Sequence, residues 1–346
     1  MNRAPIRQAI RGFVSTRTIW WGSATWVLPL VLLAGLALFL SNSASWASFL
    51  SEPEAWYRAH TPLQVQRLMY LAKEAYLSPW NWLVVLGTFV VERIIPVDRK
   101  QRAFSMGLAQ DFVWFNVTGI VLLVIIPAYL GLLKFFYDHY LSMLTIHATA
   151  VWPMAWRVVL SVFLLDFFSW VHHYIRHKVE LFWYFHMTHH SQTQLNIFTE
   201  NRFHVVEYLL AVTVTFPPTF MLGLGLGEIV WLAFVTYWYT RVYHANLRTN
   251  YGFLKHFMVT PQSHRIHHSI EERHWNKNFG VLFTIWDRMF GTLYTNYDEY
   301  PATGIPYSRY PLECNAGLLS LARTWVKQCV YPFKLSLQLA EKGRAR

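Results

Sequence analysis

The sequence predicts an all-α protein, a polytopic integral membrane helical bundle that carries a histidine-rich cap on the cytoplasmic side. Three observations carry that prediction. Hydrophobic residues make up 54% of the chain and aromatic residues 18%, while charged residues are only 14%, against roughly a quarter in soluble domains. Apolar runs recur along the chain, several of them near the ~20 residues with which a helix crosses hydrocarbon. Thirteen of the 16 histidines fall between His172 and His274, a span that also holds two of the apolar runs.

Residues 1–18 carry Arg3, Arg7, Arg11 and Arg17 without an acid, and Ile19 to Leu40 is then a nearly uncharged run long enough to span. A signal peptide has a shorter apolar core, although Ser43-Ala44-Ser45 supplies the small residues of a cleavage site. Residues 43–77 are mixed and helix-compatible, with Glu52, Glu54, Arg58, Arg67 and Lys73 placed at or outside the far face. Further runs follow at Trp80 to Val91, Phe112 to Leu133 and Met154 to Val171. The second run ends at Glu92, Arg93, Pro96 and the basic cluster Arg99, Lys100 and Arg102, whereas Phe135 to Trp156 contains no Lys or Arg. Cationic loops favour the cytoplasm, so the arginine-rich N-terminus and the Arg99 cluster belong there. The helix ending at Val171 then delivers His172 to His190 to the same side. Val205 to Val242 reads as two apolar helices around Pro217-Pro218 and a glycine turn at Gly223, Gly225 and Gly227, a hairpin that goes out and returns. From Tyr243 the chain is mixed in polarity and reads as a cytoplasmic cap. The regions are residues 1–160, N-terminal membrane helices; 161–300, the histidine region with its hairpin at 205–243; and 301–346, a cytoplasmic tail.

Several readings fall away. The net charge of +11 flanks apolar runs and no nucleic-acid reading module is visible, so an anionic membrane surface explains it better than nucleic acid. Cys314 and Cys329 are too few for a disulfide framework and have no CxxC spacing. The G-x-G-x-G string lacks the preceding strand of a dinucleotide site. The sequon at Asn116 lies inside a membrane run.

The chemistry resides in the histidine spacing. His173 and His177 are four apart, and His186, His189 and His190 follow an i, i+3, i+4 pattern that His264, His267 and His268 repeat. Such spacings put side chains on one side of a helix. Neutral imidazole suits zinc, iron, copper or nickel, and eight imidazoles are too many for one ion, so two metals share the site. A b-type haem needs two axial histidines and leaves most of these residues unexplained. His60, His139 and His147 read as interfacial or core residues.

With an acid and aromatics leading in, the pattern resembles the membrane-bound fatty acid hydroxylase and sterol desaturase superfamily. The motifs are Asp166-Phe-Phe-Ser-Trp170 into His173 and His177, then His186-Met-Thr-His189-His190, then Thr260-Pro-Gln-Ser-His264-Arg-Ile-His267-His268. Asn201-Arg-Phe-His204-Val-Val-Glu207, His244-Ala-Asn246, Asn278-Phe-Gly280 and Trp286-Asp287-Arg288 extend the similarity over about residues 160–295. Val205 stands where the family has proline and Tyr174 where it has arginine, neither at a ligand position.

The resemblance implies a non-haem centre of two iron ions, with zinc as a possible substitute in purified protein. It also implies O2 as co-substrate and hydroxylation or desaturation of a lipid taken from the bilayer. No haem-binding, flavin or ferredoxin motif occurs, so a separate electron donor of ferredoxin or cytochrome b5 type, with its reductase, is expected. His244, ending the returning helix, is the ninth expected ligand. His204 reads as a hydrogen-bonding residue near the centre, and His172 lies ~100° round from His173, off the ligand face. His256 and His274 stay unassigned. Asp166, two turns before His173, is the candidate catalytic acid, expected to fix an imidazole tautomer; Glu207, Asn246 and Asp287 are weaker candidates for that role, or partners of Arg202, Arg248 or Arg288. The alternative of another class is a non-catalytic membrane protein holding structural zinc.

Overall fold

The computed structural model describes residues 78–121, 125–224, 226–306, 310–313 and 317–344, with single positions 66, 70, 73 and 77 before them. The expected span at Ile19 to Leu40 lies outside the described residues. Among those residues the protein is all-α, with two isolated β-bridges and no strand.

Helix α1 (Pro79–Ile94) starts where Ser78 accepts the Trp80 N–H and Pro79 supplies a preset first-turn φ. Its polarity is inverted relative to a soluble helix. Asn81, Thr88 and Glu92 are buried, while Trp80, Leu83, Leu86, Val90 and Ile94 form an exposed apolar stripe. The buried groups are satisfied from across the fold, Asn81 by the Arg241 guanidinium at 3.2 Å and Glu92 by the Asn246 N–H at 2.8 Å. A long exposed apolar stripe over a bonded polar interior is matched by lipid rather than water.

Helix α2 (Met106–Ile120) is capped by Ser105, which accepts the Leu108 N–H. Within the apolar run expected from Phe112 to Leu133, α3 (Ile126–Phe136) carries Pro127 in its first turn. Proline has no N–H to give and its ring displaces the carbonyl four residues back. Helix α4 (Met154–Lys178) is 25 residues, ~37 Å at 1.5 Å per residue. It is the one described helix long and apolar enough to cross a membrane. Its length exceeds the ~30 Å of hydrocarbon, and His173 and His177 sit in its last turns.

Val179 is extended, and the chain re-enters a helix at once as α5 (Glu180–His190), which lies back against α4. The expected hairpin divides into α6 (Val205–Thr215), the short α7 (Pro217–Met221) and α8 (Leu226–Tyr243). Pro217 and Pro218 start α7 after the break at Phe216, and Gly223 takes a left-handed φ of 67° in the turn. Leu165, Val212, Phe220, Leu224 and Leu232 fill the core between α4 and this hairpin. Helix α9 (Pro261–His267) is closed by a reciprocal Thr260–Ser263 capping box. After α10 (Ile285–Met289), the amphipathic α11 (Leu318–Arg344) lays its apolar side on α5, around Trp183, Tyr184 and Met187.

Candidate metal centre

All nine histidines expected as ligands meet in one buried region, and they sort into two groups that cut across the sequence motifs. His173, His177, His186, His190 and His267 form one; His189, His244, His264 and His268 form the other. Within each group one nitrogen per ring lies within 4.8 Å of all the others. Each H-x-x-H-H triplet divides in the same way. Its i and i+4 members stand 40° apart on the helix and serve one group, while the i+3 member, ~100° round from its neighbour, serves the other. The two triplets do so reciprocally, so His267 joins the group of His186 and His190, and His189 joins that of His264 and His268. His190 and His268 stack across the boundary at 4.3 Å between ring centroids.

In the first group three outer nitrogens are committed. His173 Nδ1–H donates to the Phe279 carbonyl at 2.9 Å, His267 Nδ1–H to the Lys277 carbonyl at 2.8 Å, and His186 Nδ1–H to Glu207 Oε2 at 2.7 Å. These partners are acceptors, which fixes the proton on Nδ1 and leaves the lone pair on Nε2. The Nε2 atoms of His173, His186, His190 and His267 are buried and have no hydrogen-bond partner in the protein. Burying such atoms unsatisfied is unfavourable, and a cation at their point of convergence satisfies them together. Arg176 donates to the same Glu207 oxygen at 2.8 Å, which holds the carboxylate in place.

The second group is closer still. Nε2 of His244 lies 3.1 Å from that of His189 and 2.7 Å from that of His264, which is 3.1 Å from that of His268. His244 Nδ1–H points at the Thr240 carbonyl, 2.7 Å, and at Glu200 Oε2, 2.9 Å, so its Nε2 carries the lone pair. Neighbouring ligands at right angles on one ion, with metal–nitrogen bonds of ~2.1 Å, stand ~3 Å apart.

Burial holds His186, His189, His190, His264 and His268 well below the ordinary histidine range, and neighbouring cations and imidazoles push the same way. His267 is held at about 3 by the same burial. These six rings are therefore neutral at physiological pH, the form that binds metal. Neutral nitrogen donors, unpartnered buried lone pairs and oriented outer nitrogens together fit two transition-metal ions.

Asp166 differs from expectation. Its carboxylate accepts the backbone N–H groups of Leu282 and Phe283, at 2.6 and 3.2 Å, and the Trp286 indole at 2.8 Å, and it touches no imidazole. Seven residues put it on the face of His173, but two turns are ~10 Å along the axis, beyond a carboxylate's reach. It acts on the 277–287 loop instead. Asp287 holds the same loop, accepting from the N–H of Phe279 and Gly280 at 2.8 and 2.7 Å and from the Trp170 indole at 2.9 Å. The carbonyls that orient His173 and His267 are thus pinned to α4. Gly280 is required by this approach, since a Cβ there would stand 2.7 Å from the Phe283 carbonyl oxygen.

The imidazole-orienting role passes to Glu207 and to Glu200, which the sequence reading missed. Its one signal was an acid directly before the Asn201-Arg-Phe-His204 segment. Asn246 bonds Asp98 and Glu92 rather than an imidazole, and Arg202 pairs with Asp111 and Glu313. His204 caps α6 by accepting the Val206 N–H. His172 faces Arg176, His274 bonds Ser269 and Glu299, and neither belongs to a group. His139, His147 and His256 are exposed and apart. Tyr174, at the departure from the family pattern, stacks on Trp170.

Comparison with known proteins agrees with this geometry. A family model described as fatty acid hydroxylase matches residues 158–292. Ornithine lipid hydroxylase OlsE of Rhizobium tropici is 33% identical over 134 residues, 39% of this chain and 40% of that protein. The alkylglycerol monooxygenases of Caenorhabditis elegans and Xenopus tropicalis are 28% and 29% identical, over 39% and 34% of this chain and 26% of each relative. The matched region spans less than half the length of these relatives. No solved structure matches the chain. Every histidine of both groups lies within residues 158–292, the part of the chain that matches the fatty acid hydroxylase family.

Proposed function

We propose that the protein is an O2-dependent oxidoreductase that hydroxylates a C–H bond of a membrane lipid at a centre of two iron ions. The observation that carries this reading is the pair of buried, convergent imidazole groups. A structural zinc site closes with four ligands, and the first group offers five. Relatives named lipid hydroxylase and monooxygenase favour insertion of oxygen over desaturation.

His173, His177, His186, His190 and His267 would hold one ion, and His189, His244, His264 and His268 the other. Iron bound there would supply activation of O2 and removal of hydrogen from an unactivated C–H bond. The chain's own part is to orient and to shield. Glu207, Glu200 and the carbonyls of residues 277 and 279 aim the rings. Phe279, Trp183 and Phe203 wall the site, with ring centroids 5.1 Å from His177 for the first two and 4.4 Å from His189 for the third. No thiol or thioether belongs to either group, so the donor set resists the oxidant it would serve.

In this reading the protein crosses the membrane several times with its histidine face in the cytoplasm. The lipid tail reaches the site from the bilayer, and electrons come from a separate ferredoxin- or cytochrome b5-type donor with its reductase. Lipid mass spectrometry of cells with and without the chain tests the proposal. A lipid heavier by one oxygen atom, dependent on the chain, is expected; a lipid lighter by two hydrogens identifies desaturation instead, and an unchanged lipid profile contradicts both.

A further inference from the structure

We infer that the hollow at the α1–α2 turn binds the anionic headgroup of a bilayer lipid. The hollow has a volume of about 670 Å³ and is lined by Lys100, Arg102, Phe104, Thr193, Gln194 and Glu313, among others. That volume lies within the range of ligand sites. Lys100 and Arg102 are exposed, and among the described residues no carboxylate pairs with either. The acid in the lining, Glu313, is taken by the buried Arg202, which Asp111 also holds. The hollow therefore has cationic charge to offer an anion.

Its surroundings specify what kind of anion. The turn begins where the exposed apolar stripe of α1 ends at Ile94, and Phe104, 83% exposed, stands at the rim. A cationic hollow at the foot of an apolar helix face matches a lipid, with the phosphate in the hollow and the acyl chains along the stripe. An acidic protein surface would meet the concave site only at its rim.

The turn is also built in advance. Asn246 bonds the Asp98 N–H and carbonyl, both at 3.1 Å, and Asp98 Oδ1 accepts the Lys100 N–H at 2.8 Å. Gln101 donates to the Leu195 carbonyl at 3.1 Å. At the back wall, Gly107 lets the loop after His190 close on α2, since a Cβ there would lie 2.9 Å from Gln192 Oε1. Arg202 donates to Ser191 Oγ at 2.9 Å, joining that wall to the end of the histidine-bearing α5. Preorganisation of this kind lowers the ordering cost of binding.

Native mass spectrometry of the full chain in detergent tests the inference with short-chain phosphatidylglycerol, short-chain phosphatidylcholine and inorganic phosphate. Phosphatidylglycerol should bind best. K100Q with R102Q should weaken it about 25-fold, at about fivefold for each cation, while K334Q on α11 leaves it unchanged. Both side chains are exposed, and an unchanged metal content shows that the double variant is folded. The single variants, K100Q and R102Q, should each give an intermediate loss. Equal binding of the two lipids, or full retention in the double variant, overturns the site. Phosphate binding as tightly as phosphatidylglycerol reassigns it to a free anion and overturns the lipid.

Discussion

Replacing Glu207 by glutamine isolates the role of the carboxylate that orients a ring. In the native protein a single oxygen, Glu207 Oε2, accepts from His186 Nδ1 at 2.7 Å and from Arg176 at 2.8 Å, with all three groups buried. Glutamine keeps the shape but removes the charge and offers an NH2 where two donors already point. Two losses follow. Loss of an outer partner of a metal-binding histidine typically lowers metal affinity 10- to 100-fold, or about 1.4–2.8 kcal/mol. Leaving Arg176 without its counter-charge destabilises the fold by about 3–5 kcal/mol. The expected result is weaker metal retention at the first group alone, with a lowered Tm, measured by metal analysis against a competing chelator and by thermal unfolding. Adding R176Q to E207Q removes the uncompensated charge, so it should restore much of the Tm while the affinity stays low. Unchanged affinity for both ions in folded E207Q would refute the orienting role.

Further predictions follow from the same geometry. H189A and H267A should abolish turnover while leaving membrane insertion intact, whereas H139A, at an exposed position whose ring bonds the Phe135 carbonyl, should keep near-normal activity; equal loss in all three would count against the two groups. D166N should lower stability by about 2–3 kcal/mol, because an amide nitrogen cannot accept the loop's N–H groups. An unchanged Tm with lost activity would place Asp166 in the chemistry instead. G280A should cost about 1–3 kcal/mol, since the neighbouring Phe283 carbonyl is backbone and cannot retreat. An unaltered unfolding curve for G280A would show that the loop does not pack this closely.

The helical fold and the nine histidines were legible because both rest on local periodicity. H-x-x-x-H and H-x-x-H-H spacings specify a helix face, and the Val205–Val242 hairpin specifies that His264 returns toward His186. The division of each triplet between two groups was not legible in the same way. It depends on which neighbouring rings each side of the helix meets, and on His244 arriving beside His189 and His264. The orienting groups were less legible still. The carbonyls of Lys277 and Phe279 have no side-chain signature, and Glu207 reaches His186 only because α6 packs on α4 and α5. Asp166 shows the opposite failure. An acid on the expected face of the expected helix lay two turns too far from the ring, and a loop folded in from 116 residues away took it.

The central claim is that two ions sit in the two imidazole groups. Metal analysis of protein purified in detergent from iron-replete cells, alongside H244A and the double variant H177A/H267A, each of which leaves one group three imidazoles, tests it most directly. The account predicts two iron ions per native chain and one in each variant, the retained ion differing between them, with O2-dependent lipid product in the native protein alone. One ion per native chain, or zinc at full occupancy with no O2-dependent product, would contradict it.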